Sequence, residues 1–592
     1  MDTDKKLSKL RKPDLLEQAE KWFEDSATYD SSWKEKANTW YGYYNGDQWS
    51  SDEIAQLEER GQAVTTYNHI APAIDSIIGG ERQNRPEIKM AGRTPDDERI
   101  AEVKTELFNY IAYNSDTDNE TDKQIKDYLI AGRGWMYTYP DVDGKEFNDI
   151  RHKWIDYRDM FSDPLSKMDD SSDARFISMA IFTDADIIKK QFPKFKEESS
   201  DEGFSFNDSS EDDMWYEKKD RKRPRLISTW YRDEEGEISV IVWVKGQMLY
   251  YKKAPYTMES YPFDRMTFKT NLDNEPYGMV KSMVSPQDEV NKRHSKAMHY
   301  LNARQVLAEE DAFVDWNDAK KTLARPDGIT KLKDGVLSEG RMQMVDNTAL
   351  ASTHIQMMEH AKSQVLALAG INASYMGQGG QYESAKGGQQ NIAAAQNVLV
   401  PMLNKIRISR YNVAKITMAL VPDFYTSERL VRITGINGAY SFMPVNQVIK
   451  LDDGTLQMFN DLSNNDIDII VEDAPSSLND RAEQFNQLLG IQGQTGRPIP
   501  MEILLRYSSL KDKHQLAADL EAHYAVEAQL QQASQYAQQL EQQVQQLGGQ
   551  INQVQSQLVQ SNVARAVDKE VSKAKEDIAK EKDQIQNSII TG

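Results

Sequence analysis

The chain has 592 residues, of which 39% are hydrophobic and 28% charged, and its formal net charge is −22. At about 150 residues per domain, this length predicts roughly four structural units. The absence of cysteine excludes disulfides, thiolate zinc sites and cysteine nucleophiles, and the eight scattered histidines argue against a metal site. No apolar run approaches about 18 residues, so we expect no membrane span. The charged N-terminus lacks the apolar core of a signal peptide, which favours synthesis in the cytosol.

The first 130 residues have the apolar spacing of helices. Two amphipathic helices are predicted within residues 1–60, a third follows, and a fourth spans about 95–132. The pair Gly79-Gly80 is expected to end the third helix, and Pro86 to begin an extended segment. We interpret these helices as packed on a larger body.

Between residues 134 and 270 the apolar period changes to two, which is typical of strands. Three turn signals predict hairpins in this β-rich part: Asp143-Gly144, Glu235-Gly236 and Lys245-Gly246. An acidic, serine-rich stretch followed by basic residues interrupts it at about 196–225. This stretch is either a solvated surface loop or a loop that binds a polymer or a partner.

A long polar helix is predicted at 285–308. Ser285 is a plausible N-cap, with Pro286 at the first helical position. At about 1.5 Å per residue this helix would be roughly 35 Å long. Its apolar positions alternate with four basic residues, Lys292, Arg293, Lys296 and Arg304. One chain could not bury such a helix on all sides, so we expect it to pack against copies of itself or to line a wet surface.

A short α/β insert is predicted to follow, and a second helix returns at about 350–369, ending at Gly370. Two antiparallel helices would present the insert at their far tip. The insert contains six basic residues, Lys320, Lys321, Arg325, Lys331, Lys333 and Arg341.

Residues 370–389 contain six glycines and predict a flexible loop between helices. The segment lacks the pattern of a phosphate-binding loop, because Lys386 is followed by glycine and no strand precedes it. A long helix is predicted at 390–421, with a kink at Pro401.

Strands are predicted again at about 429–473, followed by helices at 478–491 and 500–525. From residue 526 apolar residues alternate at spacings of four and three, which is a heptad seam. Its later members are Leu540, Val544, Leu547, Ile551, Val554 and Leu558. We expect this tail to self-associate; the alternative is a single amphipathic helix docked on its own chain.

The sequence offers no recognisable catalytic arrangement. Ser508 and Lys511 match a two-letter pattern that is expected by chance, and the histidine spacings do not fit a helical metal pair. We therefore expect a protein that is not an enzyme and that holds no cofactor or metal.

The order of elements and several short phrases resemble the portal proteins of tailed bacteriophages, most closely those of short-tailed phages. The resemblance covers roughly residues 30–490. The residues that carry it are Tyr67 to Gly79 with Asn84-Arg85-Pro86, Phe161 to Pro164, Asp170 to Ala174, Pro276 to Val280, Gln287 to Lys292, Gly370 to Gly377 and Ser384 to Gly388.

This resemblance implies an α+β portal fold whose parts assemble into a ring of about twelve subunits. The implied parts are a wing (1–284, with a long kinked helix and strands at 390–475), a stem (285–308 and 350–370), a clip (309–349), a tunnel loop (371–389), a crown (476–525) and a C-terminal coiled-coil or barrel helix (526–592).

The resemblance also implies functional positions. Residues expected to face DNA in a channel are Lys292, Arg293, Lys296, Arg304, Gln378, Gln381, Tyr382 and Lys386; for the basic ones the alternative is a salt bridge between subunits. The six basic residues of the insert become candidates for docking a partner. About twelve copies would carry on the order of −260 charges, and an acidic wall would let DNA slide without binding.

The implied partners are further copies of the chain, the terminase large subunit, the major capsid and scaffolding proteins, head-completion or tail adaptor proteins, and double-stranded DNA bound without sequence specificity. The implied location is the portal vertex of the virion, after synthesis in the host cytoplasm. Two other hypotheses stay open: a coiled-coil scaffold or tail protein that conducts no DNA, and a nucleic-acid-processing enzyme.

Overall fold

The computed structural model describes most of the chain. The described residues are 12–94, 97–143, 146–196, 223–302, 305–323, 328–345, 348–372, 375, 385–426, 429–434, 440–450, 456–460, 462, 467–472, 488–493 and 513–590. They fall into two compact units, the first formed by residues 1–434 and 440–481 and the second by 435–439 and 482–592. The mixed α+β class predicted from the sequence is confirmed.

The N-terminal helices begin, end and break at other residues than the sequence predicts. They are α1 (Lys12–Asn45), α2 (Ser51–Glu59), α3 (Ile70–Gln83), α4 (Glu98–Asn114) and α5 (Thr117–Ile130), with strand β1 (Glu87–Gly92) between α3 and α4. The two helices expected within 1–60 are largely one, because Ser26 and Asp30 are buried and continue its packed face. The Gly79-Gly80 pair does not end α3, and the helix expected at 95–132 breaks at Asp116, whose φ is +50°.

Two antiparallel sheets follow, and all three predicted hairpins are confirmed. The strands are β2 (Arg133–Asp143), β3 (Glu146–Ile155), β4 (Met160–Ser162), β5 (Phe176–Phe182), β6 (Arg225–Arg232), β7 (Ile238–Val244), β8 (Gln247–Lys253) and β9 (Phe263–Thr267), with helix α6 (Ala185–Gln191) after β5. The sheet orders are β3-β2-β9 and β4-β5-β6-β7-β8. Gly236 and Gly246 take the positive φ that their tight turns require. The acidic-to-basic stretch lies mainly outside the described residues.

The next part is a helical hairpin that carries a small insert. Its elements are the short strands β10 (Lys269–Thr270) and β11 (Pro276–Tyr277), then α7 (Val280–Asn302), β12 (Gln305–Ala308), α8 (Trp316–Leu323), β13 (Met342–Val345) and α9 (Thr348–Leu368). Strands β12 and β13 pair antiparallel at the base of the insert. The predicted order of helix, α/β insert and returning helix is confirmed.

The first unit ends with a long helix and short strands. They are α10 (Ala385–Phe424), β14 (Arg429–Thr434), β15 (Tyr440–Val445), β16 (Gln447–Lys450), β17 (Leu456–Phe459) and β18 (Ile467–Glu472). Strand β18 pairs with β1, which lies almost 400 residues earlier, and so ties the last strand of this unit to the strand between α3 and α4. Pro401 lies inside α10, as predicted.

One apolar core holds the base of the hairpin. It brings together side chains of α1, α3, α5, α7, α9 and α10, including Ile74, Tyr128, Val280, Val365 and Leu399. Because the beginning of α7 and the end of α9 share this core, the hairpin is anchored at its base and its insert lies at the far end.

In the second unit, residues 488–493 are helical and a single helix of 78 residues, α11 (Lys513–Ile590), follows. The sequence predicts separate segments at 500–525 and 526–592. The described part of the former, from Lys513, is continuous with the latter.

Candidate functional site

The hairpin of α7 and α9 is the candidate functional site. Near its base Met283 of α7 and Ala369 after α9 lie in the same core, whereas towards the tip the rings of Tyr300 and His354 stack with centroids 5.6 Å apart. The two helices therefore run antiparallel over their length. This geometry presents the insert at one end and leaves most side chains of α9 and some of α7 exposed.

Helix α7 begins earlier and ends earlier than predicted. It spans Val280–Asn302 instead of 285–308, so Ser285 is not its N-cap and Pro286 lies inside it. The buried side chains of Val280 and Met283 explain the early start, because tertiary packing extends the helix upstream of the proline. The last predicted residues belong to strand β12.

A buried polar stripe runs along α7 at four-residue spacing. Gln287, Asn291 and Ser295 are all almost completely buried. The Gln287 amide accepts a hydrogen bond from the backbone of His69 at 3.1 Å and donates one to the carbonyl of Tyr67 at 2.7 Å. Asn291 Oδ1 in turn accepts from the Tyr67 amide at 3.0 Å. Side chains of α7 thus bind the backbone of residues 67–69 through hydrogen bonds.

Two further bonds complete this arrangement, which we call the clasp (residues 48 and 63–69). Asn291 Nδ2 donates to Gln48 Oε1 at 2.6 Å, and the Ser295 hydroxyl donates to the carbonyl of Ala63 at 2.7 Å. The sequence suggests that so polar a helix needs copies of itself or water on its polar faces. That expectation is wrong for this stripe, because the clasp of the same chain satisfies it.

The basic residues predicted to face a channel have different surroundings. Lys292 forms an ion pair with Glu53 of α2 at 2.9 Å, and this hydrogen bond raises the pKa of Lys292 and lowers that of Glu53. Arg293 pairs with Glu289 one turn away and donates to His354 Nδ1 at 3.3 Å. Lys296 is exposed on the same helix. Both Lys292 and Arg293 therefore have partners within one chain.

Burial, and then the nearby Arg293 and Lys296, lower the pKa of His354. This half-buried histidine is therefore neutral at physiological pH, and its ring packs as an aromatic group between the two helices. Arg304 lies outside the described residues.

The insert has a small core of its own, formed by Ala312, Phe313, Ala319 and Val336. Four of its predicted docking residues are exposed, namely Lys320, Lys321, Lys331 and Lys333. The fifth, Arg341, is instead engaged by Asp311 at 2.9 Å and by Glu339 at 2.8 Å. Arg325 lies outside the described residues.

The glycine-rich segment is described only at its ends. Gln378, Gln381 and Tyr382 lie outside the described residues. Helix α10 begins at Ala385, so Lys386 belongs to the first turn of a helix and not to a loop as predicted. The predicted boundary at 389 is therefore wrong by about one helical turn, because the helix continues through Gly387 and Gly388 despite the low helix propensity of glycine.

The heptad seam of the second unit lies on α11 with its side chains exposed. Leu540 is 44% exposed and Leu547 57%. Val544, Ile551, Val554 and Leu558 are exposed as well. Within the described residues, this apolar seam is therefore open to solvent. Self-association of the tail remains a prediction.

Among the residues that the structure describes, one group of acidic side chains is close enough to hold a cation. Asp233, Glu235 and Glu237 lie in the turn between β6 and β7, with carboxylate oxygens within 4.8 Å of one another. The ammonium of Lys253 lies 2.8–3.4 Å from all three and neutralises part of their charge. Lys253 of the same chain therefore already forms ion pairs with this acidic group. Among the described helices, none has the length and apolar character to cross a membrane.

The sequence matches the profile of the phage P22-like portal protein family over residues 20–574. The chain belongs to this family. The predicted resemblance to phage portal proteins is thus confirmed. The portal family is a structural, non-enzymatic component of phages.

A portal protein of Helicobacter pylori bacteriophage KHP30 is 21% identical over 397 residues, which cover 66% of this chain and 64% of that protein. The match thus spans slightly less than two thirds of the length of the relative. A solved structure described as the virion of a native gene transfer agent particle aligns with a TM-score of 0.33 and 10% identity, covering 74% of this chain and 88% of the other.

Sequence reasoning missed the clasp of this portal protein. The segments around Tyr67 and Gln287 are both part of the resemblance, but nothing in the sequence pairs them. The spacing of Gln287, Asn291 and Ser295 was the available signal, since polar residues four apart share one helical face.

Proposed function

We propose that this portal protein forms a ring-shaped channel at one capsid vertex, through which the double-stranded genome is packaged, retained and ejected. Family membership supports a structural role in the phage particle, and portal proteins form oligomeric rings. The helical hairpin supports the ring most directly, because its outer faces suit contact with identical neighbours.

Apolar side chains remain exposed along the hairpin. They are Met298 and Leu301 on α7 and Leu350, Ile355, Met357 and Leu368 on α9. Exposed apolar side chains of this kind are available for a protein interface. In a ring, α9 of one subunit would cover such surface on the next, as heterologous contacts do when the rotation closes.

In this proposal the hairpin is the stem of the ring and the insert at its tip is the clip. The wing comprises the sheets and helices before the stem together with α10 and the strands after it. Residues 371–384 form the tunnel segment, 476–512 the crown, and α11 a C-terminal barrel or coiled coil. These boundaries replace the predicted ones where the helices differ.

We assign docking of the terminase large subunit, and later of head-completion or tail adaptor proteins, to the clip. Its four exposed lysines lie close in sequence to exposed apolar side chains such as Val314, Trp316 and Leu337. A surface that combines basic and apolar groups suits a protein partner with acidic and apolar side chains. The capsid and scaffolding proteins would contact other surfaces of the ring.

Passage of DNA without tight binding fits the charge of the chain. Each copy has a net charge of −22, and basic side chains of the stem are partly neutralised within the chain. Each phosphate that a protein neutralises strengthens binding and makes it more dependent on salt. An acidic channel with few free cations would avoid this.

Negative-stain imaging of the purified full-length chain tests the ring, for which we expect particles with an axial hole. A deletion of residues 377–383, which spares Tyr375 and α10, tests the tunnel segment. We expect rings to form normally while DNA retention or translocation declines. A glycine and serine replacement of equal length is the control for loop length. Loss of assembly alone would contradict the assignment of this segment.

A coiled-coil scaffold or tail protein is the second candidate, favoured by the exposed seam of α11. A scaffold has no need of a helical hairpin with an insert at its tip. Imaging separates the two, because a scaffold would give rods or shells without a bore.

A further inference from the structure

The paired glycines of α3 differ in their surroundings. A Cβ atom added at Gly79 would meet nothing within 4 Å. One added at Gly80 would collide with the phenol oxygen of Tyr375 and lie 3.2 Å from its Cζ. A side chain at position 80 would therefore require the Tyr375 ring to shift, and we call this contact of Gly80 with Tyr375 the seat. This seat explains why a helix of fourteen residues tolerates glycine at this position.

Contacts hold the described residues between the hairpin and Tyr375 in place. Gly370 ends α9 with a φ of +68°, and Ile371 is buried in the core that holds the base of the hairpin. Asn372 Oδ1 accepts a hydrogen bond from the Tyr375 amide at 2.8 Å. The Tyr375 ring then packs against the same core.

We propose that Tyr375, seated on Gly80, is a positioning residue that fixes where the chain leaves the stem towards the tunnel segment. The inference rests on the proposed function, because the position of Tyr375 affects DNA only if the tunnel segment acts in the channel. Fixing Tyr375 against α3 restricts the positions that the residues after it can reach.

The experiment compares Gly80→Ala with Gly79→Ala in the full-length chain. Hydrogen exchange is measured in peptides that contain the Ile371 and Tyr375 amides. We expect Gly80→Ala to accelerate the exchange of these two amides by about tenfold or more, because the alanine methyl group displaces Tyr375 from its contact with α3. Gly79→Ala should leave the rate within about twofold, since its methyl group enters open space.

A double variant makes the test specific to this contact. Tyr375→Phe removes the oxygen that collides, so Gly80→Ala with Tyr375→Phe should restore most of the slow exchange. Equal exchange in Gly80→Ala and the unaltered chain, or equal acceleration by both alanines, would overturn the proposal. If Gly80→Ala fails to fold, Tyr375→Ala replaces it: faster exchange supports the seat, and unchanged exchange overturns it.

Genome retention in particles assembled with the same variants separates the two claims. Faster exchange together with reduced retention supports both the seat and the channel role of the segment. Faster exchange with normal retention leaves the seat in place and contradicts the channel role.

Discussion

Helices α7 and α11 are both polar in sequence, but α7 buries a polar stripe whereas α11 exposes an apolar one. In α7 the buried stripe is polar, and the clasp of the same chain supplies its hydrogen-bond partners. In α11 the patterned stripe is apolar, and its side chains are exposed. A polar helix can thus be completed within one chain, whereas an exposed heptad seam needs a partner surface. Composition alone does not separate these cases.

The largest expected effect concerns the seam of α11. Because the chain has no cysteine, Leu547→Cys introduces a single thiol on the seam. If copies pair through the seam, oxidation should link most chains in pairs. Gln546→Cys, one residue off the seam, should link at least about tenfold less because its thiols are too far apart. Non-reducing electrophoresis measures both yields, and equal yields would contradict a paired seam.

Removal of the clasp should destabilise the first unit. Asn291→Ala leaves the Tyr67 amide and the Gln48 side chain without their partner, at an expected cost of about 3 kcal/mol. All ten tryptophans lie between residues 22 and 316, so urea unfolding followed by tryptophan fluorescence reports on this unit alone. The exposed Lys296→Ala on the same helix is the control, with a change below about 0.5 kcal/mol. Similar losses in both variants would mean that the clasp contributes nothing specific.

A buried carboxylate should give the first unit a dependence on pH. Burial, and then Asp156, raise the pKa of Asp127 to about 8, although Tyr41 and Trp154 donate hydrogen bonds to it. The unfolded chain releases this proton near pH 4, so the folded state binds more protons between pH 4 and 8 and its stability falls as pH rises.

Asp127→Asn should therefore flatten this fall, by about 4 kcal/mol between pH 5 and 8. Urea midpoints at the two pH values measure the difference. Asp25→Asn, at an exposed position of α1, is the matched control and should leave the pH dependence unchanged. A slope that Asp127→Asn does not alter would show that another group is responsible.

The smallest effect is expected at the rim of the clasp. The ion pair of Lys292 and Glu53 joins side chains that are both more than a third exposed, so Lys292→Met should cost less than about 1 kcal/mol. Glu53→Gln should cost about as much, and the double variant little more than either. A loss of several kcal/mol in the free energy of unfolding would mean that this ion pair stabilises the first unit as much as the buried hydrogen bonds of the clasp do.

The sequence predicted the order of elements better than their ends. The hairpins at Gly236 and Gly246, the insert between two helices and the seam of α11 follow from local periodicity and turn chemistry, and the structure has each of them. The start of α7 does not follow from such signals, because the packing of Val280 and Met283 in a distant core outweighs the local preference at Pro286.

The candidate site was predictable in outline only. Lys320 and Lys331 are exposed, as docking residues must be, but the pairing of Arg341 with Asp311 depends on how the insert folds. The Gly79-Gly80 pair resembles a helix terminator in sequence, whereas in the structure Gly80 lies inside α3 beside Tyr375, almost 300 residues later. Contacts at such separation leave no local pattern.

Mass measurement of the intact assembly, by native mass spectrometry of the purified chain, tests the central claim most directly. The account predicts one closed species with a mass close to a whole multiple of 67.7 kDa, of about twelve copies, and an axial hole in images of the same sample. A chain that stays monomeric under every condition, or that forms solid rods without a bore, would contradict it.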